Sequence, residues 1–197
     1  MRSAAGPTTP ADADREEEIL ALVKLGDKRR AIEIMMDVYG DSVLRFAYGM
    51  TYDAQIADEV RQQVFIEAHR DMDKFAGMSS LLTWLIGIAR HRCLDATKAR
   101  TRWNSRFKND PGSDEPAIDH DPIRDLDRGR LSRLLAYCLD KLAPATREAV
   151  MLRYQQELSH ADAAELTREQ PGTLQQRVAR AMPALRKCVE GRLGGAS

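Results

Sequence analysis

Residues 131–142 read Leu131-Ser-Arg-Leu134-Leu135-Ala-Tyr-Cys138-Leu139-Asp-Lys-Leu142, with apolar side chains at i, i+3, i+4, i+7, i+8 and i+11. Successive side chains on an α-helix turn by about 100°, so these residues fall in one stripe, whereas a half-buried strand would alternate. The stretch predicts one amphipathic helix packed into a core.

The same period governs the chain upstream. Ile19, Leu22 and Val23, then Ile34 and Val38, then Ile56, Val60, Val64 and Ala68, then Leu81, Leu85, Ile88 and Ala89 all recur at helical spacing, and no run reads as a strand. Downstream, Pro144 suits the first turn of a new helix. Ser159 with Asp162 three residues on makes a capping-box-like start, and Pro171-Gly172 makes a break. Leu174, Val178, Ala181, Leu185 and Val189 define a final amphipathic helix carrying Arg177, Arg180, Arg186 and Lys187. Pro183 lies within it and costs about 3 kcal/mol unless the helix bends there. A short helix, a tight break and a basic helix form a helix-turn-helix candidate.

These patterns predict an all-α fold of two small helical domains. Residues 1–14, small, polar and Pro-containing, read as a disordered arm. The first helical domain spans 15–108, an acidic flexible linker spans 109–127, the second domain spans 128–192, and 193–197 form a tail. The linker is rich in turn signals, with Asp110-Pro111-Gly112, Glu115-Pro116 and Asp121-Pro122, and poor in apolar residues.

The formal net charge is zero, but charge is segregated. Residues 90–108 carry seven Arg or Lys and one Asp, and residues 109–127 carry seven Asp or Glu and one Arg. A basic block beside an acidic block of equal size marks a change of role along the chain. The acidic segment could serve as a tether, or could cover the basic helices.

No run approaches the roughly 20 apolar residues of a bilayer span, and the first residues lack the apolar centre of a signal peptide, so a cytoplasmic location is expected. Cys93, Cys138 and Cys188 lie far apart with no paired spacing, which indicates neither a disulfide framework nor a zinc site; all three read as reduced, core-packing residues. His69, His91, His120 and His160 share no metal-ligand spacing, and neither a phosphate loop nor a nucleophile motif is present. The reading is of a protein without catalytic residues, metal, cofactor or small-molecule substrate.

The string Phe75-Ala-Gly-Met-Ser79-Ser80-Leu81-Leu-Thr83-Trp84-Leu85-Ile-Gly-Ile88-Ala89-Arg90, continuing to Asp95, resembles the promoter-melting part of region 2 in extracytoplasmic-function members of the bacterial sigma-70 family. Residues 57–65 resemble that family's core-polymerase-binding helix. Leu142, Pro144, Arg147, Glu148, Leu152, Arg153, Tyr154, Leu158 and Ser159 resemble region 4, and residues 172–181 its recognition helix. The likeness covers 17–107 and 128–192 in family order.

The resemblance implies a region 2 helical bundle and a region 4 helix-turn-helix, acting together as a sigma factor that binds core RNA polymerase and promoter DNA. Asp58, Glu59, Gln62, Gln63 and Phe65 would bind core polymerase. Ser79, Ser80, Trp84, Arg90, His91, Arg92 and Lys98 would bind the −10 element, with Ser79 and Ser80 holding a flipped base and the cations holding single-stranded backbone. Arg90, Arg92, Lys98, Arg100, Arg102 and Arg106 would supply the cationic surface, and Trp103 and Phe107 interleave with these cations, either to stack on bases or to pin the helix end. By periodicity alone Trp84 is a core residue beside Leu81, Leu85 and Ile88. Thr173, Gln175, Gln176, Arg177 and Arg180 would read the −35 element. Arg168, Glu169 and Gln170 stand where the family usually has a glycine, an apolar residue and a serine cap, which implies an altered turn. An anti-sigma factor clasping both domains would fit the same faces. The competing reading is a free-standing helix-turn-helix regulator whose first domain only dimerises.

Overall fold

A computed structural model describes residues 10–107 and 126–193. Among the described residues the regular structure is helical throughout, and the chain divides into two compact units. Residues 108–125, and with them all of the expected acidic linker but Leu126 and Asp127, which open the helix Leu126–Asp140, lie outside the described residues, as do the first nine residues and the last four.

The first unit holds α1 (Pro10–Lys24), α2 (Lys28–Thr51), α3 (Ala54–Asp71) and α4 (Leu81–Phe107). The start of α1 falls within the segment expected as an arm. Local chemistry sets the breaks. Gly26 turns the chain at φ 82°, where a side chain would be strained, and the Asp27 carboxylate accepts from the Arg30 N–H at 3.1 Å to cap α2. Asp53 caps α3 in the same way through the Ile56 N–H, at 3.0 Å. The central helix α2 packs against α1, α3 and α4, and α3 also packs against α4. Ile19, Met35, Val43, Phe46, Val64, Leu81, Leu85, Ile86 and Cys93 are fully buried between them. Complete burial of such a side chain is worth about 1.5–3 kcal/mol.

The second unit holds α5 (Leu126–Asp140), α6 (Pro144–Val150), a π-helical turn (Met151–Gln155), α7 (His160–Thr167) and α8 (Pro171–Leu193). Pro144 opens α6 and Pro171 opens α8, where the missing N–H takes no bond from the helix. Ser159 caps α7, its hydroxyl accepting from the Asp162 N–H at 3.1 Å and donating to the Asp162 carboxylate at 2.6 Å. Leu152, Leu158 and Leu174 are fully buried. Cys138, Val150, Ala181 and Leu185 form a second cluster, with Leu134, Tyr137, Leu139, Leu142 and Val189 packed against it.

Two expectations need correction. Cys138 and Cys188 are not reduced: they form a disulfide between α5 and α8, with their Cα atoms 5.9 Å apart. The bond pairs residues 50 apart in sequence, a proximity that only the packing of α5 on α8 creates. The 131–142 stripe is also narrower than its period implies. Leu131 and Leu135 are 54% and 45% exposed, because α8 covers only the side of α5 that bears Leu134, Cys138 and Leu139. Finally, α8 runs through Pro183 to Leu193 as one helix.

Candidate docking and nucleic-acid surfaces

On α3, Ala57, Val60, Val64 and Ala68 turn inward, which leaves Glu59, Gln62, Gln63 and Ile66 exposed. At i, i+3, i+4 and i+7 these four share one face. Asp58 borders it, half-buried, with Arg61 donating to its carboxylate at 2.6 Å and Gln62 at 2.8 Å. The Arg61 bond, then the Gln62 bond, holds the Asp58 carboxyl below the usual carboxylate range. Phe65 is 4% exposed and belongs to the core, so the expectation that it contacts a partner is corrected. The residue that sequence reading missed on this face is Ile66, 59% exposed. Its only sequence signal was an apolar residue off the buried stripe.

The segment between α3 and α4 forms the second surface. A short 3₁₀ turn, Met72–Lys74, leads to Phe75, whose ring packs on Trp84 with centroids 5.3 Å apart. Trp84 is half-buried, less than the core position its period predicts, and its ring backs Phe75 of the loop. Gly77 takes φ 66°, and Met78 projects with 79% exposure. Ser79 and Ser80 are half-buried. Ser80 is committed to α4: its hydroxyl accepts from the Thr83 N–H at 3.1 Å and lies 3.0 Å from the Thr83 hydroxyl. The Leu81 N–H and the Tyr39 hydroxyl act to lower the pKa of the Glu16 carboxyl of α1. Burial nonetheless raises the Glu16 pKa above its ordinary value.

Along α4 the expected cations differ in role. Lys98, Arg100 and Arg102 are exposed, Trp103 beside them is 65% exposed, and Arg90 is half-buried. His91 is exposed, with Nδ1 2.8 Å from the Gly87 carbonyl. Arg92, itself partly exposed, forms an ion pair with Glu67 of α3, whose side chain is only 16% exposed. The side chains of Arg106 and Phe107 lie outside the described residues.

In the second unit the break between α7 and α8 is a capped turn. Arg168 takes the left-handed conformation at φ 58°, and its N–H is bonded to the α7 carbonyls of Ala164 and Glu165. The Glu169 N–H reaches the Ala164 carbonyl at 2.9 Å. A non-glycine residue there is strained by roughly 1–2 kcal/mol, a cost these bonds offset. Beyond the turn, Leu174 and Val178 bury one side of α8 and expose Thr173, Gln175, Gln176 and Arg180 on the other. Arg177 is half-buried: its Nη1 donates to Glu169 Oε1 at 2.6 Å. Thr173, Gln176, Arg177 and Arg180 line an open cleft with Lys141 and Thr146. The cleft sets three cations, two threonines and an amide among apolar side chains and is bounded by an exposed helix face, which gives donors suited to phosphates and base edges.

Comparison with known proteins matches both units. Residues 35–103 match the family model described as Sigma-70 region 2, and residues 132–185 match Sigma-70, region 4. The chain is 31% identical over 183 residues to the ECF RNA polymerase sigma factor SigC of Mycobacterium tuberculosis, covering 90% of this chain and 94% of the relative. It is 27% identical over 190 residues to the RNA polymerase sigma-H factor of Pseudomonas aeruginosa, covering 90% and 95%. In fold it is similar to the sigma factor RpoE of Bartonella quintana, solved in complex with the anti-sigma factor NepR (TM-score 0.67, 23% identity, 80% of this chain and 96% of that one). It is also similar to CnrH, solved with the cytosolic domain of CnrY (TM-score 0.63, 21% identity, 93% and 99%).

Proposed function

The chain belongs to the extracytoplasmic-function group of the sigma-70 family, and from that premise we propose how its two units divide the work of a promoter-directing sigma factor. It is a sigma factor that binds core RNA polymerase and directs promoter-specific initiation. The observation that carries the division is the pairing of region 2 and region 4 units in one chain, each with an exposed polar face above a closed apolar core. A free-standing regulator would have no use for the first of these.

Glu59, Gln62, Gln63 and Ile66 of α3, with Asp58 at the border, form the core-polymerase face. The loop at 75–80 receives an unstacked −10 base over the Phe75–Trp84 wall, and Lys98, Arg100 and Arg102 hold the adjoining single strand. Thr173, Gln175, Gln176, Arg177 and Arg180 enter the −35 major groove. Residues 109–127 join the two. The chain has no chemical step of its own; the partner polymerase performs catalysis, in the cytoplasm. No helix among the described residues is long and apolar enough to cross a membrane. RpoE and CnrH were each solved with a partner bound, and an anti-sigma factor that covers the α3 and α4 faces is the corresponding regulator here.

The test is run-off transcription with purified core polymerase, with and without this chain, on genomic fragments that include the chain's own upstream region. Specific initiation that is lost in Asp58→Arg plus Gln62→Ala supports the reading. Failure to bind core polymerase at all overturns it.

A further inference from the structure

The recognition helix carries one cation unlike its neighbours. Arg180 is exposed and solvated, but Arg177 is held against the turn by Glu169, and both side chains are only about one quarter exposed, at 26% and 24%. The holder is itself fixed. Glu169 follows the left-handed Arg168, and its N–H is bonded to Ala164, so its backbone has little freedom to follow a moving arginine. Glu169 Oε2 is buried with no hydrogen-bond partner among the described residues, so Arg177 is the neighbour that compensates this carboxylate.

A guanidinium has five donors, and the Glu169 bond occupies one of them. Arg177 also lines the cleft beside Thr173 and Gln176, the side expected to meet DNA. We infer that Glu169 is a positioning residue for promoter recognition, orienting Arg177 to donate to the edge of one guanine in the −35 element. This rests on the region 4 reading above. A freely rotating arginine at the same place would sample phosphates; a tethered one keeps a fixed approach and contributes less to sequence-independent attraction, because its charge is already partly neutralised.

The experiment uses the reconstituted holoenzyme and a promoter found by run-off transcription, with every single-base change across its −35 element. The wild-type chain should show one position where loss of guanine lowers binding by roughly 5- to 100-fold, as a bidentate arginine contact implies, and Arg177→Ala should level that position. Glu169→Ala should level the same position while leaving the others unchanged, and should steepen the salt dependence by roughly one unit of log affinity per log salt as Arg177 is released to phosphates. Glu169→Gln, which keeps an acceptor in place, should retain most of the preference. Adding Glu169→Ala to Arg177→Ala should change nothing further at that position. The inference is overturned if Glu169→Ala lowers binding equally at all positions, if it leaves the profile unaltered, or if its effect persists without Arg177. If the wild-type profile is flat across the whole −35 element, the region 4 reading fails first.

Discussion

Cys138 and Cys188 are bonded across the interface of α5 and α8, in the cluster that also holds Val150, Ala181 and Leu185. The bond closes a loop of 50 residues that contains α6, α7 and most of α8. Constraining the unfolded chain over that separation stabilises the second unit by up to about 4 kcal/mol.

Reductant, or Cys188→Ala, should therefore lower the unfolding transition of the second unit and leave that of the first in place. Denaturant unfolding in oxidising and reducing buffer checks this. Coincident transitions in the two buffers would mean that packing alone holds α5 on α8.

Burial raises the pKa of Glu16 in α1, which gives a pH dependence of defined sign. Because the folded pKa lies above the ordinary value of 4.5, stability from this group is present below that pH and is lost as pH rises through the folded pKa. Glu16→Gln keeps an acceptor for Leu81 without the buried charge. Its melting temperature should match wild type in acid and exceed it at neutral pH, and a constant difference across pH would refute the assignment.

Arg92 lies on α4 among the cations proposed to hold promoter DNA but is paired with Glu67. Arg92→Ala should lower the stability of the first unit by about 1 kcal/mol, the modest value being set by its partial exposure. Lys98→Ala should leave stability unchanged and weaken promoter opening. Thermal melts and permanganate footprints on the two variants separate the roles.

Ser80 caps α4 through Thr83, so Ser80→Ala should cost about 1 kcal/mol. Ser80→Asp, which restores an acceptor, should recover the melting temperature. A Ser80→Ala variant as stable as wild type would show that Glu16 suffices at this terminus.

On the α3 face proposed to dock polymerase, Ile66→Glu should weaken core binding about tenfold, the equivalent of 1.4 kcal/mol of lost apolar contact. The fold should not change, since Ile66 is 59% exposed. Fluorescence anisotropy with core polymerase reads the affinity directly.

The features legible in sequence are those written over one or two helical turns. Val60, Val64 and Ala68 fall on one side of α3 by period, Ser159 and Asp162 announce the start of α7, Pro144 marks a helix start and Pro171-Gly172 a break, because each acts on backbone groups within four residues. The string from Phe75 to Arg90 carried the family, while the acidic, turn-rich stretch between two runs of helical period gave the division into two units. Tertiary packing decided the rest. Phe65 sits at the edge of its stripe, and only the positions of α2 and α4 determine that it is buried. Leu131 and Leu135 share the period of Leu134 and Cys138, yet α8 leaves them uncovered. Cys138 with Cys188, Glu67 with Arg92 and Glu169 with Arg177 are 50, 25 and 8 residues apart, farther than the i, i+3 or i, i+4 neighbours of a single helix. No local pattern pairs them, because their proximity is created by how helices cross and where a turn points a side chain.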